Sequence, residues 1–130
     1  YEEAELKRKW VERLRAADDD NDVSTEVSVW PTGTRIDVVA GNPMGKYDIY
    51  ELKVRKAEPQ DLYQLRMYWD GLVLSGVQPT RGTLLADSYT DNLKKMLQMV
   101  NELPAPSFPD GSPSAKYCFT LATLKEKLLV

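Results

Sequence analysis

Asp37, Glu51 and Lys53 are the side chains whose types and spacing could do chemistry in this chain. They fall in two short β-like segments, TRIDVVA (34–40) and KYDIYELKV (46–54). Side chains at i and i+2 of a strand share a face. Glu51 and Lys53 therefore project together, while Leu52 between them points the other way. Two carboxylates one strand apart, with an ammonium beside them, can hold a divalent cation and a water. Those are the parts needed to hydrolyse a phosphodiester.

What the chain lacks narrows the chemistry further. It has no histidine, which removes Ser-His-Asp hydrolysis, HExxH zinc hydrolysis and imidazole proton transfer together. One cysteine and no histidine leave no basis for a structural zinc site. Catalysis must therefore come from Asp, Glu, Lys, Tyr or Ser, with a hard cation bound through oxygen. The lone Cys118 cannot form an internal disulfide, which suits a reducing, cytoplasmic setting. No apolar run approaches the roughly 18 residues needed to cross a bilayer, so no membrane is expected. The formal net charge is −3, which argues mildly against strong independent nucleic-acid affinity.

The elements that must position these residues follow from periodicity. Leu6, Trp10 and Leu14 recur every four residues and predict a helix over 2–17. DDDND (18–22) reads as a solvated loop. As a calcium loop starting at Asp18 it would need Gly and Glu where Val23 and Val29 stand. VSTEVSVW (23–30) alternates and predicts a half-buried strand, with a turn at 31–33 leading into 34–40. Gly41–Gly45 is a second turn, followed by the strand 46–54. Pro59 opens a helix over 59–75 with Leu62, Leu65, Trp69, Leu72 and Val73 inward and Gly76 placed to end it. GTLLAD (82–87) reads as a strand. Thr90 caps a helix over 91–103. A Pro/Ser/Gly loop (104–115), a strand (116–122) and an amphipathic tail (123–130) complete the order α-β-β-β-α-β-α-β-α. Trp10 and Trp69 read as core. Trp30 reads as core before base-stacking platform. The 130 residues fit one domain, and a first residue other than Met suggests a segment of a larger protein.

The order and the motifs resemble the PD-(D/E)XK nuclease superfamily, the restriction-endonuclease-like fold. Ile36-Asp37-Val38 and Glu51-Leu52-Lys53 carry the likeness, with Ile36 standing where the family's namesake has proline. Gln64-Leu65-Arg66-Met67-Tyr68 is similar to the QxxxY element of the RecB-like branch. The resemblance implies an α/β fold of three layers, a central mixed sheet flanked by helices. It implies a Mg²⁺- or Mn²⁺-dependent deoxyribonuclease. Asp37 and Glu51 would bind the metal, the Leu52 carbonyl would add a ligand, and Lys53 would activate or orient the attacking water. A first-helix glutamate often joins the site in this family, and Glu5, Glu2 and Glu12 are the candidates. Gln64 and Tyr68, i and i+4 on one helix face, would face the site or the nucleic-acid backbone. Arg55 and Lys56 would touch phosphates. DNA, further domains of the same polypeptide and, by analogy with double-strand cutting, a homodimer are the implied partners, in DNA repair or defence. The alternative is the same fold kept as a DNA-binding or scaffolding module with little or no cleavage.

Overall fold

The computed structural model describes residues 2–30 and 34–128, so the turn expected at 31–33 and the end of the tail lie outside it. Its elements are α1 (Glu3–Ala17), β1 (Asp22–Ser28), β2 (Arg35–Gly41), β3 (Tyr47–Lys56), α2 (Pro59–Leu74), β4 (Arg81–Ser88), α3 (Asp91–Asn101), β5 (Phe119–Thr123) and α4 (Leu124–Lys127). That is the order the sequence predicts.

The strands lie in sequence order, β1-β2-β3-β4-β5. β1, β2 and β3 pair antiparallel as a meander, whereas β3–β4 and β4–β5 pair parallel. The switch is forced by connection length, because a parallel neighbour needs a crossover and α2 supplies it. The central strands are buried on both faces: β3 over residues 48–52 and β4 over 82–86. One face packs Ile36, Val39, Ile49 and Leu84 against α2 and α3. The other packs Val38, Tyr50, Leu52 and Leu85 against α1 and α4. The result is the expected three-layer α/β arrangement, a mixed sheet between helices. Trp10 and Trp69 are both core, at 8% and 0% exposure.

Local chemistry sets the ends of the helices that frame the site. At the start of α2, Pro59 follows a reciprocal capping box of Glu58 and Asp61. At its end Gly76 takes φ +87°. The Gly76 N–H donates to the Val73 carbonyl and the Val77 N–H to that of Leu72, the paired bonds of a Schellman stop. Thr90 caps α3 by accepting the Leu93 N–H.

Two strands depart from the sequence expectation. β1 stops at Ser28, and of the alternating set only Val23 is fully buried. It is an edge strand, so one flank lacks a neighbour to cover it. β5 starts at Phe119 rather than 116, because Asn101 of α3 brackets the Phe119 backbone, donating to its carbonyl and accepting from its N–H. Tyr117 is meanwhile turned into the core against Trp69.

Candidate active site

The β2–β3 ladder runs from Gly41↔Tyr47 to Val38↔Tyr50. One step further, the same register sets Asp37 opposite Glu51, and there side chains replace the ladder bonds. Asp37 Oδ2 accepts the Leu52 N–H at 2.9 Å. Glu51 Oε1 accepts the Asp37 N–H at 3.1 Å. Each carboxylate thus reaches across to the other strand's backbone, and the two anions meet in the fork where the strands part. Lys53 lies on the same side, with Nζ 3.8 Å from Glu51 Oε2.

Glu51 is 2% exposed. Burial, and then the charge on Asp37, push its carboxyl far above the usual range, to about 8, against the relief offered by Lys53. Tyr68 faces this pair from α2. Burial, then the charges of Glu51 and Asp37, hold its hydroxyl up to about 12, so it stays neutral. The Gln64 amide donates to that hydroxyl at 2.9 Å. The i, i+4 pair expected on one face of α2 is therefore joined to itself, with its phenol turned towards the carboxylates.

Four expected roles change. Tyr68 is 1% exposed, so it is a core residue that feels the charge of the carboxylates and not a nucleic-acid contact. Gln64 is only half-buried, and with Lys53, Arg55, Gln60, Asp61, Tyr63 and Met67 it lines a groove of about 420 Å³. Arg55 lines that groove but is not a free phosphate binder. Its two terminal nitrogens each donate to Asp61 at 2.8 Å. Asp61 is itself 2% exposed. Burial alone would raise the Asp61 carboxyl, but the Arg55 fork and the Glu58 N–H outweigh it and hold it low. Lys56 faces a different groove, between the starts of α2 and α3, with Glu58, Thr90 and Met96. Glu5 does not reach the fork: its half-exposed carboxylate pairs with Arg8 on the outer face of α1. Trp30 donates its indole N–H to the Met67 carbonyl, so it fastens the end of β1 to α2.

The α1 side chain that does reach the fork is Lys7. Its ammonium lies 3.2 Å from Asp37 Oδ1 and also pairs with Glu26 of β1. Glu26 has φ +54°, alone in that region among the described non-glycine residues. In the sequence Lys7 is one of many charges on a helix face, and Glu26 one polar member of an alternating strand. Neither carries a local signal of its place.

The donor set suits a hard divalent cation. Mg²⁺ is typically held by one or two carboxylates, with waters and phosphate oxygens filling the rest. The fork offers two carboxylates, one of them held in its neutral form by burial and by the charge of its neighbour. Among the described residues no three Asp, Glu or Cys side chains form a ready cage, so the carboxylates would hold only part of such an ion's shell.

No family model and no curated protein matches this chain. Solved structures do. It is similar to a repair endonuclease from Pyrococcus abyssi, with a TM-score of 0.66 and 23% identity over 95% of this chain and 47% of that one. It is also similar to EndoMS in a complex with dsDNA, at 0.61 and 26% over 75% of this chain and 40% of that one. Against EndoMS in its apo form the values are 0.57 and 27%, over 76% and 43%. The fold is thus one shared with these proteins, and the chain spans less than half the length of each.

Proposed function

We propose that this chain is a nuclease domain that hydrolyses phosphodiester bonds in DNA with Mg²⁺ or Mn²⁺. The observation that carries this reading is the fork. Asp37 and Glu51 cross to each other's backbone and Lys53 stands at 3.8 Å from Glu51, so a cation bound there would take the place of the proton that burial favours on Glu51. The similar solved structures support the substrate class, since one is a repair endonuclease and EndoMS was solved in a complex with dsDNA.

Asp37 and Glu51 would hold the ion through lone pairs their backbone contacts leave free, with the Leu52 carbonyl as a further ligand by resemblance to the PD-(D/E)XK pattern. The bound ion would polarise the phosphoryl group and make a water more acidic. Lys53 would orient that water and offset charge growing on the phosphate. Tyr68, kept neutral, would give the site a fixed donor on its α2 side. Gln64 would hold that phenol in place, in keeping with a QxxxY element of RecB-like type.

The test is cleavage of labelled single- and double-stranded DNA in Mn²⁺ by wild type and Lys53→Ala. Losing a preorganised cation near the phosphate should lower the rate roughly 10²–10³-fold. Equal cutting by the two proteins would refute the assignment. Binding without cutting by wild type would favour the DNA-binding alternative.

A further inference from the structure

The register of β1 and β2 places Glu26 opposite Asp37, between the pairs Thr25↔Val38 and Val27↔Ile36. Like charges directly opposite on a ladder repel. Here the chain keeps both and bends Glu26 into a backbone region that side-chain-bearing residues rarely adopt. The ammonium of Lys7 from α1 closes the arrangement, paired with both carboxylates. It sits on Asp37 Oδ1, the oxygen that the Leu52 N–H does not take.

We propose that Lys7 is a tethered counter-cation that sets how tightly Asp37 can hold a divalent ion. This rests on the nuclease reading above, and it makes Lys7 a positioning residue acting through Asp37. Whichever state Glu51 takes, removing the Lys7 ammonium leaves the cluster of Glu26, Asp37, Glu51 and Lys53 one unit more negative. An ion shared by Asp37 and Glu51 therefore meets a positive charge already seated on one of its ligands. That ion must share Asp37 with the ammonium or displace it. Room for displacement exists: Lys7 also lines a groove of about 480 Å³ between α1 and β1, with Arg8, Arg15, Thr25 and Glu26. Lys7 thereby holds Asp37 in place without the ion and tempers the affinity with it.

Mn²⁺ titration calorimetry on the whole chain tests this. Removing the positive charge that Lys7 seats on Asp37, in a partly screened site, should tighten binding roughly tenfold in Lys7→Gln. Lys7→Arg keeps the charge and should bind as wild type. Glu26→Gln removes a negative charge and leaves Lys7 to Asp37 alone, so it should weaken binding. Opposite signs from two neighbours are what a charge account gives, whereas damage to packing would weaken both. Thermal melts in chelator identify folded variants, and Lys7→Met, which keeps the apolar stem, replaces Lys7→Gln if the latter does not fold. Unchanged or weaker Mn²⁺ binding in a folded Lys7→Gln or Lys7→Met, with wild type binding and Asp37→Asn not, would overturn this inference and leave the nuclease reading standing. No Mn²⁺ heat from wild type would overturn both.

Discussion

Replacing Glu51 with Gln should make the metal-free protein more stable, and only at neutral to alkaline pH. The side chain is 2% exposed, and its carboxyl is pushed from 4.5 to about 8, by burial first and by Asp37 second. The sign follows from proton linkage. Between pH 4.5 and about 8 the unfolded chain has released this proton while the folded chain keeps it. Stability present below 4.5 is therefore lost as pH rises through about 8. At about 1.36 kcal/mol per pH unit, that gap sets a ceiling near ~5 kcal/mol. Gln keeps the acceptor for the Asp37 N–H and removes the buried charge, but it gives up the Lys53 contact and disturbs Asp37, so roughly 2–4 kcal/mol is the working figure. For a domain of this size that is about 6–15 °C in Tm. The assay is a series of melts in chelator from pH 4.5 to 9 for wild type and Glu51→Gln. The curves should coincide near pH 4.5 and separate with rising pH, the variant melting higher. Added Mn²⁺ should then raise the wild type alone, since a ligand stabilises only the fold that binds it. A difference that does not change with pH, or a variant less stable than wild type at pH 9, would refute the reasoning.

Three further outcomes follow from contacts around the cleft. In Gly71→Ala the new Cβ would lie 2.8 Å from Trp30 Nε1 and 3.2 Å from Val29 Cβ. Trp30 must then leave the Met67 carbonyl, at a cost of about 1–3 kcal/mol in urea unfolding. Arg55→Met should cost roughly 2 kcal/mol at pH 7 by leaving a buried Asp61 charge without its fork. Because that carboxyl is held low, the contribution is present above the ordinary aspartate range and fades as pH falls through the depressed value, so melts near pH 2–3 should show a smaller gap. Tyr68→Phe removes the acceptor for the Gln64 amide and should cost about 1 kcal/mol in the same urea assay.

The sequence carries the elements of this fold because each has a period long enough to read. The apolar stripe Leu62–Leu65–Trp69–Leu72 defines α2, and Pro59 and Gly76 mark its ends by mechanisms that need no tertiary context. The strand pair holding Asp37 and Glu51 is legible for the same reason. What it hides is the change of bonding one residue beyond Val38↔Tyr50. Alternation says which face a side chain takes, but not that a carboxylate will stand in for a ladder bond to the opposite backbone. The first-helix candidate shows the limit from the other side. Glu5 and Lys7 are both charged residues of a surface helix, and only the docking angle of α1 on the sheet decides which one meets Asp37. That angle is set by Leu6, Trp10 and Leu14 packing on Val38, Tyr50 and Leu52. Lys7, one turn before the buried Trp10 and Val11, is carried to the sheet, while Glu5, one turn before Arg8, is left outside with it. The charge that reaches this site is therefore chosen by the core, and a reading that treats the polar face of a helix as uniform solvent-facing surface will miss it.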